Sequence, residues 1–97
     1  MKWNRRPQEQ DGTYIFSGIF LVTHKVKEKL TPLEIALIYQ DIQQFVKANN
    51  GVDFLQMYEN DKGERLFFID QINKEMIDSG EFLEEDNHCT LMFSSEY

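Results

Sequence analysis

Thr31-Pro32-Leu33-Glu34 constrains this chain more than any other stretch, because it marks where a helix must begin. A threonine at the N-cap accepts a hydrogen bond from an orphan amide of the first turn. Proline suits the first helical position, and a glutamate three residues after the cap reaches back to the cap's own amide. From there Ile35, Ile38, Tyr39, Ile42, Phe45 and Val46 fall on one stripe about 120° wide, while Gln40, Gln43, Gln44 and Lys47 lie outside it. Asn49-Asn50-Gly51 ends the pattern. The spacing predicts an amphipathic helix of about four turns with one apolar stripe to bury. Leu33 and Leu37 sit off that stripe, as a second apolar spot for the N-terminal arm or a partner to cover.

What the helix covers is read from the segments around it. Tyr14 to Thr23 is dense in β-branched and aromatic residues and is bounded by Gly12 and the charged stretch His24 to Lys29, so it reads as a strand. Both of its faces are apolar, which places it inside a sheet or under cover on both sides. Gly18 within it points to a bulge or a close backbone approach. Val52 to Glu59 and Glu64 to Ile72 flank Asn60-Asp61-Lys62-Gly63, a hairpin turn with glycine where a left-handed residue is wanted. Asn73 to Gly80 is either one irregular helical turn or a loop. Asn87 to Ser94 alternates, with Cys89, Leu91 and Phe93 on one side, and reads as a last strand.

Strand, helix, hairpin, strand predicts an α+β fold: a mainly antiparallel four-stranded sheet packed on one long amphipathic helix. Residues 1–13 show no hydrophobic period and contain Pro7 and Gly12, so they read as a flexible N-terminal arm whose Trp3 can dock on the body. Residues 14–97 then form a single domain, the size at which one core is possible and a second is not. With one helix only one sheet face is covered. Thirteen aromatic residues suggest that the other face is occupied by the arm, a second subunit or a target.

The chain carries a net charge of −7, unevenly spread. Residues 1–48 hold seven Lys/Arg against five Asp/Glu, and residues 49–97 hold three against twelve. No Lys or Arg follows Lys74, whereas Asp78, Glu81, Glu84, Glu85, Asp86 and Glu96 do. Such a surface repels nucleic acid and favours a basic partner. Lys2, Arg5, Arg6, Lys25, Lys27 and Lys29, with Trp3 or Tyr14 for stacking, are too diluted by the acidic half to argue for direct nucleic-acid binding. A single cysteine, no long apolar run and no signal-peptide core lead to the expectation of a cytoplasmic protein.

No residue pattern carries chemistry. The acids near His88 and Cys89 lack metal-ligand spacing, and in a strand those two side chains point to opposite faces. Asp61 lacks the alternate-position partners of a calcium loop. His24, His88, Cys89 and scattered Ser/Thr sit in no strained turn or glycine-rich loop, and no phosphate-cradling pattern exists. The expectation is therefore no catalysis, no metal and no cofactor. Asp78, Glu81, Glu84, Glu85 and Asp86 remain as a candidate partner-binding surface.

Phe16-Ser17-Gly18-Ile19, the helix over Leu33 to Phe45, the element Asp53-Phe54-Leu55-Gln56-Met57-Tyr58 and the ending Thr90 to Tyr97 together resemble a family of small bacterial proteins. That family is catalogued as a domain of unknown function named from staphylococcal members, and it occurs on plasmids and in phage and prophage genes. Its members carry a D-Y-L-Q-x-F element after the helix and end in acidic residues followed by S/T-M-L-L-A-E-E-Y. The resemblance brings no activity, but it implies a mobile-element context, where small acidic α+β proteins are often accessory or anti-defence factors. Combined with the charge map, this gives the expectation of a non-enzymatic inhibitor of a nucleic-acid-binding host defence protein, such as a CRISPR effector or a restriction enzyme, acting by DNA mimicry. The alternative is a homodimeric structural or regulatory module joined through the uncovered sheet face.

Overall fold

A computed structural model describes residues 2–97, the side chain of Glu84 excepted. The capping box forms as its sequence requires: Glu34 N–H donates to Thr31 Oγ1 at 3.1 Å, and Thr31 N–H donates to Glu34 Oε1 at 2.9 Å. It opens an 18-residue helix, α2 (Pro32–Asn49), which ends on a left-handed Asn50. Before it come β1 (Asn4–Arg5), β2 (Ile19–Val22) and α1 (His24–Lys29). After it come β3 (Leu55–Glu59), β4 (Arg65–Asp70), α3 (Lys74–Ser79) and β5 (His88–Phe93), with 3-10 turns at Glu84–Asp86 and Ser94–Glu96.

The fold is α+β, in one domain, but the sheet has five strands rather than four and is mixed rather than antiparallel. Its order is β1-β3-β4-β5-β2. β3 and β4 form the expected hairpin, with Asn60 Oδ1 accepting from the amides of Lys62 and Glu64 and with Gly63 left-handed at φ +79°. β5 adds antiparallel to β4, and β2 adds parallel to β5 at the far edge. The parallel pair follows from the connections. α1 and α2 carry the chain from β2 at one edge to β3 on the opposite side, the crossover that parallel strands need.

Alternation along the strands turns Gln56, Tyr58, Leu66, Phe68, Asp70, Cys89, Leu91 and Phe93 inward, all of them buried. Ile38 and Ile42 of α2 and Val26 and Leu30 around α1 close over this face. Each large apolar side chain buried there contributes about 1.5–3 kcal/mol. The outer face carries Leu55, Met57, Phe67 and Met92, half-buried, and Ile69, buried. Tyr97 leans on it, edge-on to Phe67 at 5.6 Å between ring centres.

Three expectations change. The strand expected over Tyr14 to Thr23 is broken: Tyr14 makes a single bridge to Val52, Phe16 turns left-handed at φ +50°, and regular pairing starts only at Ile19. Gly18 does mark a close approach, since a Cβ there would lie 2.2 Å from the Asn87 carbonyl oxygen. The expected single helix has two short companions. α1 is capped by Thr23, whose Oγ1 accepts from Val26 N–H, and α3 settles the open reading of residues 73–80 as helix, capped by Asn73. Finally, the stretch read as an arm supplies β1, which pairs with β3, and its Trp3 is buried edge-on against Phe93. Arg5 Nε donates to Asp41 Oδ2 at 3.0 Å, and its guanidinium lies 3.6 Å from the Phe45 ring centre. Gln8 Oε1 accepts from the Asp53 amide and from Gln56 Nε2.

Asp70 is buried at the end of β4, where its carboxylate accepts from the Phe16 amide at 2.9 Å, and Gln43 Nε2 donates to the Phe16 carbonyl at 2.8 Å. Burial raises the Asp70 pKa above the usual carboxylate value, an effect the Phe16 amide only partly offsets. The folded state therefore holds the Asp70 proton more tightly than the unfolded chain, and this contribution to stability falls as pH rises from the unfolded carboxylate pKa through the raised folded one. Urea unfolding at pH 4.5 and 7 will show wild type losing more stability over that interval than Asp70→Asn. Asp70→Ala, which leaves the buried Phe16 amide unpaired, will cost about 1–3 kcal/mol at either pH.

Candidate protein-binding surface

β4 and β5 run antiparallel with Asp70 opposite Cys89, so the chain leaving β4 and the chain entering β5 meet at one end of the sheet. Everything between them, α3 and the Glu84–Asp86 turn included, is gathered there. α3 is held down by the Lys74 amide on the Thr13 carbonyl at 3.0 Å and by Thr13 Oγ1 on Glu75 Oε2 at 2.7 Å. That hydroxyl holds the Glu75 carboxyl below the usual carboxylate range. Gly80, left-handed at φ +72°, ends α3, and the next turn closes with the Asp86 amide on the Leu83 carbonyl at 3.0 Å.

This geometry brings Asp78, Glu81, Glu85 and Asp86 to one end of the molecule, all exposed, with the backbone of Glu84 in the same turn. The carboxylates stand on a helix and a turn beyond the strand ends, not on a strand. Between them lie apolar side chains that the charge map did not pick out: Ile77 is 37% exposed, Phe82 44% and Leu83 63%. Glu75 also belongs to this end and was missed in the sequence. The readable signal was Phe82-Leu83 standing between acids with no helical or strand period to bury them.

Two shallow depressions flank the cluster. One, of about 420 Å³, is lined by Gln71, Ile72, Phe82, Glu85, Asp86 and His88. The other, of about 330 Å³, lies where Ile77 meets Gly18, Ile19 and Asn87. His88 and Cys89 point to opposite sheet faces, with Cys89 in the core and His88 half-buried on the outer side. Among the described residues no group of three or more His, Cys, Asp or Glu side chains is placed to hold a metal ion. No described helix is long and apolar enough to cross a membrane.

Two titratable side chains, Tyr58 and Cys89, are withdrawn into the fold. Tyr58 is buried and donates to Asp41 Oδ2 at 2.7 Å, and burial, with the Asp41 charge, moves its pKa well up. The Cys89 thiol is pushed up to about 12 by burial and by the neighbouring Asp70 charge. The basic groups are scattered: Arg5 is engaged with Asp41, Arg6 and Arg65 lie by Glu59, and Lys25, Lys27 and Lys29 sit on α1.

No protein-family model matches the chain, and neither the curated proteins nor the solved structures contain a significant match to it.

A thiol this protonated and this enclosed does not react in the folded state. A chromogenic disulfide reagent at pH 8 will label Cys89 at the rate of global unfolding, and at once in denaturant. Rapid labelling of native protein would mean that the core around β5 opens.

Proposed function

We propose that this protein is a small non-enzymatic binding module that docks its acidic end on a basic surface of a protein partner. The observation that carries the reading is the exposure of Ile77, Phe82 and Leu83 within a rim of Asp78, Glu81, Glu85 and Asp86. Interfaces draw most of their binding energy from a few apolar or aromatic anchors that become fully dehydrated, while surrounding charges steer approach and select the partner. An acidic patch without anchors is solvation. Here both parts occupy one end of the sheet.

The partner class follows from the charge. A surface that pairs with four or more carboxylates is rich in Lys and Arg, the composition of a nucleic-acid-binding groove. The resemblance to plasmid- and phage-borne proteins favours a host defence nuclease, such as a CRISPR effector or a restriction enzyme, as the protein that owns it. In that setting the carboxylates stand in for backbone phosphates, and the apolar anchors supply the contact that DNA lacks.

The combined variant Asp78→Asn, Glu81→Gln, Glu85→Gln and Asp86→Asn will bind the nuclease at least about tenfold more weakly and with a shallower salt dependence. Phe82→Ala with Leu83→Ala will weaken binding by a similar factor without changing the salt slope. Both follow from plasmid-cleavage protection titrated against salt. Protection by the charge-neutral variant equal to that of wild type would exclude the reading.

A further inference from the structure

β2 is an edge strand, and it lacks the usual protections of one. Proteins blunt sheet edges with charged side chains, proline, bulges or a covering element. Ile19-Phe20-Leu21-Val22 carries no charge and no proline, and its outward side chains are well exposed, Ile19 at 53% and Leu21 at 43%. Toward β5 the amides of Ile19 and Thr23 donate to the carbonyls of Asn87 and Leu91. Alternation therefore turns the N–H and C=O groups of Phe20 and Val22 to the open side. α1, which follows β2 directly, packs toward β5.

Charge is polarised along the same strand. Where β2 begins, Gly18 and Ile19 meet Ile77 and Asn87, next to Asp78, Glu85 and Asp86. Where β2 ends, α1 presents exposed Lys25, Lys27 and Lys29, with Lys25 Nζ donating to Ser95 Oγ, while Glu28 and Glu96 accept from His24 and Thr23 respectively. An antiparallel neighbour with the same polarity sets its basic end against the acidic end, and a parallel one sets like against like. A second copy of this chain has that polarity built in.

We propose that two copies pair through β2, antiparallel about a two-fold axis at Leu21, and join their sheets into one. With Phe20 opposite Val22 of the second copy, the free groups on both strands form about four backbone hydrogen bonds, and the two Leu21 side chains meet on the axis. The axis stands perpendicular to the sheet, so both α2 helices lie on the same side. The apolar groove of about 650 Å³ that runs beside β2 between Phe20, Val22, Leu30, Ile35, Ala36 and Tyr39 then faces its own copy instead of water. The ends of a four-residue strand lie roughly 10 Å apart. That is beyond the screening length of about 8 Å at physiological salt, so the charge pairing weakens as salt rises. This contact shares Asp78, Glu85 and Asp86 with the proposed partner surface, while its centre at Leu21 lies outside the Phe82 and Leu83 patch.

Light scattering on a size-exclusion column across the micromolar range tests the pairing. Wild type will approach twice the 11.6 kDa chain mass. Leu21→Lys, which sets like charges on the axis, will raise the dissociation constant at least about tenfold, with the far-ultraviolet circular dichroism unchanged. Lys25→Glu with Lys27→Glu will weaken the dimer at low salt and less so at high salt. Leu21→Cys will form a disulfide-linked dimer under mild oxidation, because directly opposed residues of this kind lie about 4.5 Å apart at Cα, whereas Met57→Cys on the same sheet face will not. The Leu21→Cys result decides the matter if Leu21→Lys fails to fold. A monomer throughout the range, or a dimer indifferent to Leu21→Lys and not linked through Leu21→Cys, overturns the proposal.

Discussion

The structure depends on how one strained residue is held. Phe16 is buried with a left-handed backbone, a conformation that costs a bulky residue of order 1–3 kcal/mol unless its surroundings fix it. Asp70 takes its amide and Gln43 supplies a donor to its carbonyl, so β4 and α2 each grip one side of the same peptide segment. Its ring, meanwhile, packs edge-on against Phe68 at 4.9 Å. The bend at Phe16 ends the bridge between Tyr14 and Val52 and redirects the chain toward β5. From that turn the chain enters β2 beside β5 at the edge of the sheet. A buried carboxylate is a costly way to satisfy one amide, and Asp70 is the group here that carries that cost.

The parts of the fold that were legible in the sequence are those whose causes are local. Thr31, Pro32 and Glu34 act within one helical turn, and Asn60 with Gly63 acts within one hairpin. The period of Cys89, Leu91 and Phe93 reports a burial face directly. The left-handed Phe16 was hidden because the groups that hold it lie 54 and 27 residues away in sequence. α1 is too short to show a helical period, and its one local sign was Thr23 three residues before Val26. β1 has two residues and no pattern, and its place is set by Trp3, by Arg5 on Asp41 and by the glutamines that bind Asp53 and Gln56. Hydrophobic periodicity states which faces are buried and is silent on which strands are neighbours, so β2 could be expected inside the sheet and found at its edge.

The candidate surface divides in the same way. Net charge is a sum over residues, so the acidic half was readable before any fold was known. The apolar anchors were not, because Phe82 and Leu83 look like ordinary core residues until the chain leaves them outside. Asp53 and Gln56 are buried, and their hydrogen bonds to Gln8 and Gln10 tie down the N-terminal residues.

β2 has one neighbour, β5, and the two are separated by about 70 residues of chain. Of all the pairings in the sheet this one closes the largest loop. Contacts so distant slow folding, because the entropy of closure is lost before the pairing repays it. Until β5 docks, β2 has both edges bare and its apolar side chains in water. This strand therefore decides between a correct fold and misassembly, and the interval before its capture is when the chain is most vulnerable to aggregation and proteolysis.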